Sequence, residues 1–474
     1  MLRPYPAFRR PSTQTQPMKH NNKQFVYAQT HKPITTTISE FDDNQNKLPT
    51  TTFAFNSLLR SSLPHRALAI YFQMLRSPRT PPNKFTFTFL LKNSAPHFVK
   101  HLHCHLTLFG FQRDPFLQTA LVRLYADAGL VKTARRVFDK MPHRDVVAYT
   151  ALISAYANCG MVDASRLVFD EMPERNAVSW GAVIAAYSQS GRDEEALGLF
   201  RQMRRMAGVD PTEATLVSVL SSSANVGALE EGIWVREYIS RNHIALTASL
   251  GTALLNLYAK CGCIADAMNV FQEMKRRDAA AWTAMILALA THGQGKQALH
   301  LFDRMIYFGF QPDHITFIGV LTACNHGGFL DAGRHHFALM KDFYNIKPGV
   351  EHYGCMVDIL GRAGQVEEAW NLIQGMAMEP DVLVLKSLLS ACCNYDYVGY
   401  AEWAFRKLIA IDVGNASPYV MLANAYASSD RWADAARVRK MMRDRGVAKI
   451  PGFSSIELDG VLHQFVAGDN DNHP

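Results

Sequence analysis

The sequence predicts an all-α solenoid of stacked helix-turn-helix units that ends in a short C-terminal β-hairpin, and three observations lead there. The first is a recurring pattern: a glycine, a small residue five positions on, an aromatic nine on and a methionine twelve on. Five copies match it closely, namely Gly129/Ala134/Phe138/Met141, Gly160/Ser165/Phe169/Met172, Gly191/Ala196/Phe200/Met203, Gly262/Ala267/Phe271/Met274 and Gly293/Ala298/Phe302/Met305. Looser copies start at Gly227, Gly328 and Gly364, with degenerate ones near Asp396 and Asp430. The second observation is the spacing. From Gly129 to Gly364 the steps are 31, 31, 36, 35, 31, 35 and 36 residues, and helix pairs of that length cannot bury a core alone, so they stack. The third is a change of period beyond Pro451, where FSSIEL and VLHQFVAG alternate around Asp459-Gly460, a dipeptide suited to a tight hairpin turn.

The unit Ala279 to Asp313 shows how the pattern builds a helix pair. Trp282, Met285, Ile286 and Leu289 share one face of a first helix that gives out at Gly293-Gln294-Gly295. Ala298, Leu301, Phe302 and Met305 repeat the spacing on a second helix, and Gly309 with Pro312 closes the unit, since glycine suits a left-handed helix end and proline cannot continue a helix. The small residue lets the helices approach. The aromatic and the methionine fill the layer between pairs.

Taken in order, residues 1–39 read as an organellar transit peptide, because they carry six basic residues, Ser and Thr, and no acid. A polar linker follows at 40–51. Ten units are expected at 52–83, 84–114, 115–145, 146–176, 177–212, 213–247, 248–278, 279–313, 314–349 and 350–381. The first is anchored by Asn56, Leu58, Leu59, Ala67, Tyr71 and Met74, and the second is compressed, without a clean turn glycine. Two pairs that lose the turn glycine, at 382–450, read as a cap, which a solenoid needs to cover its exposed end. Residues 451–474 hold the hairpin.

The formal charge of +7 concentrates in the leader: the rest of the chain has 43 basic and 42 acidic residues. Any nucleic-acid binding is therefore expected from a local groove and not from a basic surface. No apolar run approaches the roughly 18 residues of a membrane span, so no membrane partner is expected. The eight cysteines form no C-x-x-C pair and have no His-x-Glu partner, which argues against zinc. Neither a phosphate-cradling G-x-x-x-x-G-K-[ST] nor an H-E-x-x-H occurs, and no metal, cofactor or catalytic residue is expected.

VVAYTALISAYANCGMVDASRLVFDEMPERN, NLYAKCG, ITFIGVLTACNHGG, EHYGCMVDILGRAGQVEEAWNLI and KIPGFSSIEL resemble the plant pentatricopeptide repeat proteins, in the class that mixes 31-, 35- and 36-residue units. The pairs from Val382 resemble that class's E-type extension, and DGVLHQFVAGD the start of the longer E+ extension. The resemblance implies a right-handed superhelical solenoid that binds single-stranded organellar RNA, one base per unit. Residues five and last of each unit would read the base and residue two would pack on its plane, consistent with repeat readers that contact exposed base edges.

On that basis Asn56 with Asn83 would select a pyrimidine, an amide offering both donor and acceptor. Thr119 with Asp145, Thr252 with Asp278 and Thr283 with Asp313 carry the family's guanine pairing. Thr88 with Asp114 does so in the compressed unit, and Thr150 with Asn176 carries the adenine pairing. Gly181/Thr212, Val217/Thr247, Ile318/Gly349 and Gly354/Asp381 match no standard pairing. The implied site runs Y-G-G-A-N-N-G-G-N-N. An aspartate ending a unit also reads as a helix N-cap, and both readings stand at this point.

The resemblance further implies site recognition for C-to-U editing. That chemistry needs zinc on His and Cys with a glutamate in H-x-E and P-C-x-x-C motifs, neither of which is present. The chain is therefore expected to be a non-enzymatic recognition subunit, with a deaminase-bearing relative and accessory proteins acting in trans. Mitochondria are favoured by the early Met-Leu-Arg, with chloroplasts as the alternative. Transcript stabilisation or splicing is a second reading. A tetratricopeptide-like protein-binding solenoid is a third, but it calls for a fixed 34-residue step and a W-x-x-L-G-x-x-Y pattern.

Overall fold

The computed structural model describes residues 51–448, 453–458 and 461–466. The leader, nearly all of the linker and the Asp459-Gly460 turn lie outside them. The chain divides into two compact units, Met1–Phe111 and Gln112–Pro474.

In the first unit, α1 (Thr52–Ser61) and α2 (Pro64–Leu75) form one pair. Helix α3 (Lys84–Asn93) is joined to α4 (Val99–Leu108) by a 3-10 turn, Pro96–Phe98, in place of a glycine turn. Leu58 does not anchor the first pair as expected: it is exposed, and Phe55 is buried in its stead. Phe55, Asn56 and Leu59 fall together on the inner face of α1, and at 100° per residue Leu58 is rotated away from that face.

The second unit is a run of ten helix pairs: α5 (Pro115–Asp127) with α6 (Val131–Asp139), α7 (Val146–Asn158) with α8 (Val162–Asp170), α9 (Ala177–Gln189) with α10 (Asp193–Arg204), α11 (Glu213–Val226) with α12 (Leu229–Arg241), and α13 (Ala248–Lys260) with α14 (Ile264–Glu273). The run continues with α15 (Ala279–Thr291) and α16 (Gly295–Tyr307), α17 (His314–Gly327) and α18 (Leu330–Asp342), α19 (Val350–Arg362) and α20 (Val366–Gln374), α21 (Val382–Asn394) and α22 (Val398–Ile411), and α23 (Ala416–Ser428) and α24 (Trp432–Asp444). Each first helix packs on its own second helix and on the first helix of the next pair, as a solenoid requires. Strands β1 (Phe453–Leu458) and β2 (Val461–Val466) pair antiparallel, with Phe453 opposite Val466 and Leu458 opposite Val461.

The small, aromatic and methionine positions of the five close copies are all buried. The aromatic of one pair meets the fourth residue of the next edge-to-face: the ring centroids of Phe138 and Tyr149, Phe169 and Trp180, and Phe271 and Trp282 lie 4.9, 4.8 and 5.0 Å apart. Such pairs add about 1 kcal/mol beyond their area. Turn glycines take positive φ, as at Gly293 (74°), and Gln294 N–H donates back to Leu289 O at 2.9 Å. In the two cap pairs Asp396 and Asp430 adopt the same conformation, with φ of 60° and 57°.

Second helices end in two ways. In the 35- and 36-residue units a residue with positive φ stands four before the last one: Gly208, His243, Gly309 and Asn345. In three of the four 31-residue units, 115–145, 146–176 and 248–278, an arginine stands next to last instead, while 84–114 keeps a positive φ at Gly110. Arg144 donates from Nε to Phe138 O and from Nη2 to Asp139 O, at 3.2 and 3.0 Å. Arg175 makes the equivalent bonds to Phe169 O and Asp170 O at 3.3 and 3.2 Å, and Arg277 to Phe271 O and Gln272 O at 2.7 and 2.8 Å. Each guanidinium also lies over its phenyl ring at 4.8–5.0 Å. The fork satisfies carbonyls that a helix end leaves open.

Candidate nucleic-acid interface

The last residue of a unit is the N-cap of the next first helix. Asp114, Asp145, Asp278 and Asp313 each accept through Oδ1 from the third backbone N–H of that helix, at 3.2, 2.7, 2.9 and 2.8 Å. Asn83 and Asn176 accept through Oδ1 at 3.1 and 3.0 Å. The capping reading is thus realised at every one of these residues. It commits one oxygen and fixes the side chain's direction, leaving the second oxygen of a carboxylate, or the amide nitrogen, for another partner.

The fifth residue of the preceding unit meets this cap. Asn56 Nδ2 donates to Asn83 Oδ1 at 3.0 Å, and Thr86 Oγ1, from the third residue of α3, donates to Asn56 Oδ1 at 2.7 Å. Thr283 is linked to Asp313 through Thr316, the third residue of α17: its hydroxyl lies 2.7 Å from Thr316 Oγ1, which donates to Asp313 Oδ1 at 2.8 Å. Thr119 and Thr252 have buried hydroxyls with no hydrogen-bond partner, and the third residues of the helices that follow them are Ala148 and Ala281. Thr150 donates to Val146 O at 2.7 Å and Thr88 to Lys84 O at 2.9 Å within their own helices. Thr88 lies in the first compact unit and Asp114 in the second.

Two clefts open on this face of the second unit. One, of about 420 Å³, is lined by Val147, Thr150, Ser154, Asn158, Asn176 and Arg123 among others. The other, of about 570 Å³, is lined by Thr252, Asn256, Ser221, Asp278, Asn225 and Lys260 among others. Both therefore hold a fifth residue together with a last residue. Lys260 Nζ donates to Asn225 Oδ1 at 2.8 Å, and Asn225 Nδ2 to the half-free carboxylate of Asp193 at 3.1 Å, so the cleft's cation is held by a neutral amide.

The second residue of seven of the first helices is the other recurrent feature; α11, α13, α15, α19 and α23 carry Ala214, Ser249, Ala280, Glu351 and Ser417 there. Phe53, Phe85 and Phe116 are 83%, 54% and 80% exposed, and Val147, Val178, Ile315 and Leu383 are exposed at the same position. Large apolar side chains left in water at one fixed place beside the cap point to a flat, stackable partner. Sequence reasoning did not single out Thr86 and Thr316. The signal available was a hydroxyl residue three beyond an Asn or Asp cap, the mark of a capping box. Among the described residues, no group of three or more His, Cys, Asp or Glu could hold a metal ion, and no helix is long and apolar enough to cross a membrane.

An α-helical tandem-repeat protein with a polar pair, and in several units an exposed apolar side chain, recurring from helix pair to helix pair is the class these features define. The PPR repeat family matches residues 277–326, the PPR repeat matches 119–146, 147–176, 178–206, 252–278 and 351–379, and the E motif matches 395–457. The chloroplastic pentatricopeptide repeat-containing protein ELI1 of Arabidopsis thaliana is 44% identical over 423 residues, 89% of this chain and 67% of that protein. A second Arabidopsis thaliana relative, named chloroplastic/mitochondrial, is 37% identical over 456 residues, 92% of this chain and 66% of that one. The chain belongs to the pentatricopeptide repeat family. It spans between about half and two thirds of the length of several curated relatives it matches. The structure of the pentatricopeptide repeat protein PPR10 in complex with an 18-nt psaJ RNA element shares the fold, with a TM-score of 0.50 at 17% identity over 84% of this chain and 75% of that one.

Proposed function

We propose that the protein binds single-stranded RNA sequence-specifically and acts as a site-recognition factor for organellar C-to-U editing. The observation that carries the reading is the pairing, in the units 52–83, 115–145 and 146–176, of an exposed large apolar second residue with a polar fifth residue and a directed cap at the unit's end. An apolar side chain stacks on any base, and the polar pair distinguishes base edges, so affinity and selectivity come from separate atoms of one unit. The relative with an RNA element in its structure and the organellar names of the relatives support RNA as ligand and an organelle as location. The basic leader favours mitochondria over chloroplasts. The E motif at 395–457 supports the editing role, with the deaminase and accessory proteins supplied in trans.

The test is selection of bound molecules from a randomised single-stranded RNA pool with the full chain, followed by sequencing. Enrichment of a register resembling Y-G-G-A-N-N-G-G is the expected result. A retained pool no different from the input would overturn the reading.

A further inference from the structure

Three units carry a Thr/Asp pair in the second compact unit, and the hydrogen-bond network makes them chemically unequal. In the unit 279–313, Thr316 Oγ1 receives Asp313 N–H at 3.1 Å and gives its own proton to Asp313 Oδ1 at 2.8 Å, because a carboxylate only accepts. With that proton committed, the 2.7 Å contact between Thr283 and Thr316 must be donated by Thr283. Thr316 is then saturated, two lone pairs filled and one proton given. Thr283 has no proton left to offer. Both side chains are enclosed, Thr283 at 7% and Thr316 at 0% exposure, so water does not readily relieve the arrangement.

In the units 115–145 and 248–278 the same position of the following helix is Ala148 or Ala281, which carries no hydroxyl. Thr119 and Thr252 keep an unpartnered proton, and Thr252 lies in the 570 Å³ cleft with Asp278. A donor left unpaired in an enclosed place gains most from a ligand acceptor.

We infer that the third residue of the first helix that follows a threonine-aspartate unit is a specificity-determining position, and that Thr316 weakens base discrimination at the unit 279–313. It acts by taking up the proton of Thr283, so it is a positioning residue and does not itself touch the base. Threonine-aspartate units followed by alanine discriminate strongly. The same pair followed by threonine offers the base only acceptors and discriminates weakly. The inference rests on the proposed RNA reading.

The experiment uses the full chain with a synthetic ten-nucleotide RNA of the register U-G-G-A-U-U-G-G-U-U and two variants, with adenine in the seventh or the eighth position. The ratio of affinities for guanine over adenine is measured at each position. The wild type is expected to discriminate more at the seventh position, read by Thr252, than at the eighth, read by Thr283. Thr316→Ala raises the eighth-position ratio by about fivefold, the worth of one recovered hydrogen bond. Thr316→Ser keeps the hydroxyl and holds the ratio at the wild-type value. Ala281→Thr, which installs the residue found at 316, lowers the seventh-position ratio by a similar factor and needs no loss of a buried group. Circular dichroism confirms the fold of each variant. Equal ratios at both positions that none of the variants changes would overturn the inference while leaving base reading intact. No preference at either position in the wild type would overturn base reading itself, and the inference with it.

Discussion

Replacing Arg277 by alanine removes the device that ends α14 and delivers Asp278 to the cap of α15. Two bonds are lost, to Phe271 O at 2.7 Å and Gln272 O at 2.8 Å, together with the guanidinium face over Phe271 at 4.8 Å. Water replaces the fork at carbonyls near the surface, so each bond contributes a net of about 0.5–1 kcal/mol. The cation–π contact adds about 0.5–1 kcal/mol. The expected local loss is about 2 kcal/mol, or roughly 30-fold in the opening equilibrium. Long repeat arrays do not melt in one step, so the assay is amide hydrogen exchange, read in α14 and the first turn of α15. Arg277→Lys keeps a charge at the helix end, worth about 0.3–1 kcal/mol, and recovers less than half of the loss. Exchange that rises less than threefold in these segments, or that Arg277→Lys restores fully, would refute the reasoning.

Three further substitutions test the packing and the titrating groups. A side chain at Gly295 would place Cβ 2.6 Å from the backbone oxygen of Ala323, whereas at Gly293 it would meet open space but strain a φ of 74°. Gly293→Ala should cost about 1 kcal/mol and Gly295→Ala at least twice that, since the α17 backbone must move; equal costs read by amide hydrogen exchange in α15 to α17 would contradict the packing. Burial pushes the His336 imidazole down to about 4, aided by the neighbouring His335. A histidine with a depressed folded value resists a proton that the unfolded chain accepts, so its effect is absent above pH 6.5 and destabilising as pH falls towards 4, by up to about 3 kcal/mol. His336→Phe should flatten that loss, partly offset in the wild type by Asp303, whose value burial raises; an unchanged acid limb in the variant would refute the assignment.

The solenoid was legible because period and packing coincide: the glycine, small, aromatic and methionine positions that recur in the chain are the ones that close turns and fill the layers. The caps were legible as alternatives to base reading, and the structure shows them occupied. Other features were hidden for physical reasons. His243 and Asn345 take a conformation usually left to glycine, and Arg144, Arg175 and Arg277 replace that conformation altogether, so no residue type marks the end of a second helix. Leu58 misled because adjacent leucines look alike in a sequence, while only Leu59 falls on the inner face. The state of the Thr283 proton depends on a partner 33 residues away, which pairwise reading of fifth and last residues does not contain.

The cap junction has a consequence for how such arrays grow. A segment copied from the first residue of a unit to its last carries its own fifth and last residues, but the helix that orients them belongs to the neighbour downstream. A duplicated or transplanted unit therefore inherits part of its chemistry from its new address. Moving 248–278 ahead of α17, for instance, would place Thr252 and Asp278 against Thr316 instead of Ala281. Shuffling by whole units rewrites the junction each time, and a graft that preserves recognition must be cut after the first turn of the following helix.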